Sequence, residues 1–300
     1  MTGNRFRWLA WGVGLLLAQP LQGSIAVVQS SVPAKSAMKT ANSSDSIGSE
    51  FLSQKQETNL DSTDPTANDY LRSANQKYKK RNYRGALTEL DRAISINSEF
   101  AQAYYNRGVL KQEKLNDAKG ALADLDRAIS INPKFAQAYY SRGILKQEKL
   151  NDFKGALADF DRVISLNPKF VQVYYHRGVL KQEKLNDFKG ALADYDRAIS
   201  LNPKFANAYK NRGNLKEKQL NDPQGALADY KKVILLNPKD ADAYYNCGNL
   251  KEKKLGDPKG AVSDFSQAIS INPKFALAYS RRGILKEKKL NDFKGALTDY

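Results

Sequence analysis

From residue 101 onward the chain repeats itself every 35 residues. The marker Asn-Pro-Lys returns at Asn132, Asn167, Asn202, Asn237 and Asn272, and a less regular copy precedes it at Ile96-Asn97-Ser98. Self-similarity at a fixed period of about 20–50 residues means stacked supersecondary units, none of which buries its apolar face alone. The units run 67–100, 101–135, 136–170, 171–205, 206–240 and 241–275, with an incomplete seventh at 276–300.

Each unit reads as two helices. The first carries Ala-x-Ala-Tyr-x-x-Arg-Gly-x-Leu, as from Ala101 to Leu110. Its small residues and tyrosine fall at spacings of three and four, on one packing face. Leu-Asn-Asp closes it, and Asp117, Asp152, Asp187, Asp222, Asp257 and Asp292 suit the N-cap of the next helix. Pro223 and Pro258 follow two of these caps, at the first helical position where proline is tolerated. The second helix carries Gly-Ala-Leu-Ala-Asp-aromatic, then Ala-Ile-Ser, and stops at Asn with Pro just beyond it. Helix–turn–helix at this period makes the fold all-α, a solenoid of antiparallel helix pairs.

These residues resemble the tetratricopeptide-repeat (TPR) family, whose pattern is a bulky aromatic, a glycine four residues on, then Ala, aromatic, Ala and Pro. The fourth unit supplies Tyr174, Gly178, Ala191, Tyr195, Ala198 and Pro203, and the third supplies Tyr139, Gly143, Ala156, Phe160 and Pro168 with Val163 for the last alanine. The resemblance covers residues 67–300 in six successive matches and implies a right-handed superhelical solenoid. There are two departures. The usual TPR unit has 34 residues, as 67–100 does, whereas the later ones carry one more near Leu-Asn-Asp. An aromatic three residues after the glycine is replaced by Lys111, Lys146, Lys181, Lys216, Lys251 and Lys286. A lengthened turn is therefore expected, with Leu115 and its equivalents taking over the packing role.

Two segments precede the repeats. Residues 1–26 have the order of a secretory signal peptide: Arg5 and Arg7, a short apolar run from Trp8 to Ala18, then Ser24-Ile25-Ala26. The apolar run falls short of the roughly 18–20 residues that span a bilayer. The expected location is across a membrane, in a periplasmic, lumenal or secreted compartment. The alternative is an anchor through residues 8–28, and a membrane partner is expected only if that segment is retained. Residues 27–66 are rich in Ser, Thr, Asn and Gln, without an apolar period, and read as a disordered linker.

Composition argues against catalysis. One cysteine, Cys247, rules out an internal disulfide and multi-cysteine metal sites, and one histidine, His176, leaves little for imidazole chemistry. Residues that recur from unit to unit are explained by stacking, among them Asp124, which returns in every later unit. Cys247 stands where Arg107 and Arg142 stand in other units, as a tolerated small residue. No enzyme activity, cofactor or metal ion is expected. The net charge of +16 would favour acidic polypeptides, anionic polymers or membranes, and an exported chain is not expected to meet nucleic acid. The lysines at Lys111 to Lys286 and at Lys134 to Lys274 read as solvated stripes.

The leading reading is a scaffold that binds a protein or peptide. In TPR proteins the second, fifth, sixth, ninth, twelfth and thirteenth residues of each unit line a concave groove. The resemblance thus puts Tyr105, Val109, Tyr140, Ile144, Tyr175 and Val179 in that groove in units two to four. In the remaining units it puts there Lys210, Asn214, Asn246, Asn249 and Arg281. Lys210, Asn214, Asn246 and Arg281 match four of five places of a dicarboxylate clamp, whose fifth is Leu277 here. Cations and amides converging on a terminal carboxylate would give charge-assisted hydrogen bonds. The alternative is a basic solenoid bound to an anionic polymer or membrane surface. The last helix carries no polar cap, which leaves end-to-end self-association as a further expectation.

Overall fold

The computed structural model describes residues 65–300, and the segments read as signal and linker lie outside or at the edge of them. Among the described residues there are 14 α-helices in tandem pairs. The pairs are α1 (Ala67–Lys79) with α2 (Tyr83–Ile96), α3 (Ala101–Leu110) with α4 (Ala118–Ile131), and α5 (Ala136–Leu145) with α6 (Phe153–Leu166). They continue with α7 (Val171–Leu180) and α8 (Phe188–Leu201), and with α9 (Ala206–Lys218) and α10 (Pro223–Leu236). The last are α11 (Ala241–Leu250) with α12 (Pro258–Ile271) and α13 (Ala276–Leu290) with α14 (Phe293–Asp299).

The aspartates of Leu-Asn-Asp act as caps. Each accepts a hydrogen bond from the backbone N–H of the glycine three residues on, as Asp152 does from Gly155 at 2.9 Å and Asp222 from Gly225 at 2.8 Å. One such cap contributes about 1 kcal/mol. The Asn-Pro-Lys marker is an Asx turn. The side-chain oxygen of Asn132 accepts from the Lys134 N–H at 3.0 Å, with the donor-less proline between them.

The additional residue of the 35-residue units lengthens the turn, as the spacing suggested, only in unit five, where 219–222 connect the helices against 80–82 in unit one. In four units it is absorbed into the end of the first helix as one π-helical turn, at Lys111–Leu115, Lys146–Leu150, Lys181–Leu185 and Lys251–Leu255. A π turn takes in an extra residue without breaking the helix. A left-handed residue then closes it, such as Asn151 at φ 54° or Gly256 at φ 65°. Leu115, Leu150, Leu185 and Leu220 pack against the core as expected.

The two helices of a unit approach closely at the glycine of the first. A Cβ added to Gly143 would lie 2.7 Å from the Phe160 ring, inside van der Waals contact, so no larger residue fits without displacing the core. Small residues elsewhere, Ala103, Ala121 and Ala128 among them, are fully buried.

The lysines that replace the expected aromatic are not a solvated stripe. Lys111 meets Asp124 at 2.7 Å, Lys146 meets Asp159 at 2.9 Å and Lys181 meets Asp194 at 2.8 Å, with about a sixth to a fifth of each lysine side chain exposed. The same buried aspartates receive an arginine fork. Arg142 donates through Nε and Nη2 to Asp159 at 2.9 and 2.6 Å, and through Nη1 to Asp126 of the preceding unit at 2.7 Å. Arg107 does this with Asp91 and Asp124, Arg177 with Asp161 and Asp194, and Arg212 with Asp196 and Asp229. Each arginine staples the second helices of two successive units. Lys134, Lys169, Lys204, Lys239 and Lys274 do stay exposed.

Candidate functional site

The tyrosine and aliphatic strip assigned to the groove is core. Tyr105, Val109, Tyr140 and Ile144 are at most 2% exposed, and Tyr175 and Val179 at most 7%. The cover is the phenylalanine that ends each unit. Tyr105 packs on Phe135 with ring centroids 4.9 Å apart, Tyr140 on Phe170 at 4.9 Å and Tyr175 on Phe205 at 5.1 Å. Such tilted aromatic pairs add to the apolar burial of both rings. None of these six side chains offers a surface to a ligand in this structure.

His176 lies in the same layer, at a place where other units carry Asn106, Ser141 or Asn211. It is buried, edge-on to Tyr140 at 5.6 Å and Tyr175 at 5.1 Å. Burial pushes its pKa down to about 4, so the ring is neutral near neutrality.

The fifth unit breaks the stack. Lys210 stands where the tyrosines stand, and Asp240 where the closing phenylalanines stand. Lys210 Nζ lies 3.7 Å from Asp240 and 3.3 Å from Asp242. An ion pair thus replaces the aromatic pair. Both substitutions could be read in the sequence, and only their pairing was missed. Tyr245 and Phe275 restore the stack one unit later, at 5.0 Å.

Around this break the first-helix face opens. Lys210, Asn214, Asn246, Asn249 and Arg281 are all partly exposed, and Leu277 is 61% exposed. Asn214 accepts a hydrogen bond from the Tyr230 hydroxyl at 2.8 Å, and Arg281 faces Glu252 at 4.0 Å. The side-chain oxygen of Asn249 is buried and has no hydrogen-bond partner. The clamp-like set is therefore not a free cationic cradle. Lys210 and Arg281 each have an acidic neighbour, and an incoming carboxylate would compete with it.

Cys247 is 2% exposed, and burial pushes its thiol up to about 12, which makes it inert. Among the described residues no group of three His, Cys, Asp or Glu side chains is placed to hold a metal ion. No helix among them is long and apolar enough to cross a membrane.

Tandem helix pairs with this Tyr–Gly–Ala–aromatic–Ala–Pro packing define a class of helical repeat protein. Tetratricopeptide-repeat models match residues 101–135, 136–170 and 241–275, and TPR-repeat models match 184–219 and 217–254. The chain belongs to the TPR family. The comparison with curated proteins found no match. Among solved structures, YrrB, a TPR protein with an unusual peptide-binding site, is 28% identical over 63% of this chain and 95% of its own, with a TM-score of 0.53. PilW, a widely conserved type IV pilus biogenesis factor, is 21% identical over 69% of this chain and 94% of its own, with a TM-score of 0.61. A TPR protein from Parabacteroides merdae is 21% identical over 78% of this chain and 90% of its own, with a TM-score of 0.59. The last two share the fold.

Proposed function

We propose that this TPR chain is a non-catalytic scaffold of an exported compartment that holds a protein or peptide on its first-helix face, in units five to seven. One observation carries the reading. At Lys210 and Asp240 the buried aromatic pair gives way to a polar one, and the neighbouring Asn214, Asn246 and Asn249 are partly exposed, with the Asn249 side-chain oxygen buried beneath them. Amides that both donate and accept suit the backbone of an extended segment. The peptide-binding site of YrrB, in a similar fold, supports the same use.

The test is positional. Photo-crosslinking residues at Asn246 and Asn249 should form polypeptide adducts in an exported fraction, while one at the exposed Ser130 on α4 should not. Equal adducts at all three positions, or none at Asn246 and Asn249, would sink the reading. Export rests on the order of residues 1–26, and N-terminal sequencing of the mature protein should begin at Val27. A full-length chain held in membranes would instead favour the anchor through residues 8–28.

A second reading is favoured by the exposed row of Lys134, Lys169, Lys204, Lys239 and Lys274, which suits an anionic polymer or membrane surface. Binding of that kind weakens steeply with salt. Retention of the natural partner at high salt counts against it.

A further inference from the structure

In three units the aromatic of the second helix ends in a hydroxyl that is used inside the unit. Tyr195 donates to Gln182 at 2.9 Å and Tyr300 to Glu287 at 2.7 Å. Tyr230 lies between two acceptors, Asn214 Oδ1 at 2.8 Å and Glu217 Oε2 at 2.7 Å. Gln182, Glu217 and Glu287 are the twelfth residues of their units, and Asn214 is the ninth of unit five. Where the second helix carries no hydroxyl, the twelfth side chain is left without its donor. Units two and three have Leu125 and Phe160 at that place, and the side-chain oxygens of Gln112 and Gln147 are buried with no hydrogen-bond partner. Unit six repeats this loss with a charge. Phe265 stands where Tyr230 stands, and Asn249 and Glu252 stand where Asn214 and Glu217 stand. Asn249 Oδ1 and Glu252 Oε2, counterparts of the two oxygens that Tyr230 bridges, are both buried and both without a partner.

An amide oxygen and a carboxylate oxygen only accept, and burying them without a donor costs free energy. Elsewhere this chain gives a buried carboxylate a cation on each oxygen. Asp124 has Arg107 at 2.6 Å and Lys111 at 2.7 Å, and Asp159 has Arg142 at 2.6 Å and Lys146 at 2.9 Å. Among the described residues Glu252 has one cation, Arg281, at 4.0 Å from Oε1, beyond hydrogen-bond reach. Its Oε2 and Asn249 Oδ1 call for one donor atom, because one atom of Tyr230 serves the equivalent pair. An ammonium is such an atom and has three N–H groups, whereas a guanidinium spreads its donors over a planar fork. Asn249 and Glu252 are both partly exposed on the first-helix face, and no hydrogen bond holds either of these oxygens in place.

We propose that Asn249 and Glu252 form a subsite for one lysine side chain of the bound segment. The ammonium takes the place that the Tyr230 hydroxyl holds in unit five, between the amide oxygen and the carboxylate. The subsite rests on the peptide-binding reading and adds a residue that the ligand must carry. The exposed charges beside it are basic, since Lys218, Lys253 and Lys288 follow the twelfth residue in units five to seven. Charge at a distance therefore repels a lysine, and salt at about 0.15 M screens that repulsion beyond about 8 Å. A preference for lysine on this face comes from contact with Glu252 or not at all.

The test is a selection from random peptides of about 12 residues, each about 40 Å long when extended. The unaltered chain should select peptides that share a lysine at one position. Replacing that lysine by norleucine keeps the stem and removes the charge. It should weaken binding about tenfold, as loss of one hydrogen bond between charged groups does. Phe265→Tyr supplies the hydroxyl from within, as Tyr230 does in unit five. This variant should bind the lysine and norleucine peptides equally, with a Tm equal to or above that of the unaltered chain. Glu252→Gln keeps the shape without the charge and should also bind the two peptides nearly equally. Selected peptides with no shared lysine overturn the proposal, since the Asn249 amide, turned over, then serves Glu252 from within. A tenfold difference that survives either substitution overturns it, because the lysine then binds elsewhere. A Tm lowered by Phe265→Tyr overturns it too, because the two oxygens then do not converge at the tip of the ring. Selection of no peptide overturns it as well, and the crosslinks at Asn246 and Asn249 then judge the scaffold reading separately.

Discussion

His176 sits where Ser141 and Asn211 sit in the flanking units, and its ring is enclosed by Tyr140 and Tyr175. The protonated form has no place there, which is why the folded-state pKa falls from 6.5 to about 4. A histidine depressed in the folded state binds its proton first in the unfolded chain, so stability falls as pH drops from about 6.5 towards 4. At pH 5 the loss relative to pH 7 should be about 2 kcal/mol from this residue. His176→Asn, which installs the side chain of Asn211, should remove that component. Urea unfolding of both proteins at pH 7 and pH 5 checks it, and an unchanged pH difference in the variant refutes the assignment. The same layer shows what the sequence could not convey about the groove. A tyrosine at Tyr105 or Tyr140 can line a groove or be sealed beneath a neighbour. The choice depends on where Phe135 and Phe170 land, which only the stacking of units decides. Lys210, Asn214 and Asn249 were legible because they depart from the repeat.

Within a unit, most of the helix grammar was readable. The aspartate caps, the prolines at Pro223 and Pro258 and the Asx turn at Asn132 depend on residues within a few positions of one another. The extra residue was not readable, because a longer loop and a π turn contain the same residues. Hydrogen-bond closure decides between them. The Asp152 N–H donates to the carbonyl of Lys146 at 3.0 Å, six residues back, across a left-handed Asn151. This makes Asn151 a conformational requirement. Asn151→Gly should be nearly neutral, since glycine takes positive φ freely. Asn151→Ala should cost about 1 kcal/mol, because a Cβ disfavours that region. Amide hydrogen exchange in α5 and α6 reads the difference. Equal protection in the alanine and glycine variants would mean that the π turn does not depend on the left-handed residue.

Across the whole repeat array, stability follows the joints between units. Four joints are stapled by an arginine between two aspartates, at Arg107, Arg142, Arg177 and Arg212. The next is not. Cys247 replaces the arginine, Lys231 replaces the aspartate that precedes it, and Asp264 keeps Lys251 at 2.7 Å while burial raises its pKa. The two replacements fit each other, since an arginine beside Lys231 would be repelled. The buried core also changes here. One cluster extends from Tyr105 to Leu215, and smaller ones begin at Ala226. We expect α11 to α14 to open more readily than α3 to α8, and hydrogen exchange should show it. Restoring the staple with Cys247→Arg and Lys231→Asp together should close the gap. Tyr244 stands ready to support the new guanidinium, as Tyr139 lies under Arg142 at 5.4 Å. The double variant should gain about 1–2 kcal/mol in the protection of α11 and α12, because its hydrogen bonds are to charged groups. Lys231→Asp alone should gain nothing, and Cys247→Arg alone should gain less than the pair. Coupling between the two changes is the decisive quantity. If their effects add to within about 0.5 kcal/mol, the missing staple is not what weakens this joint.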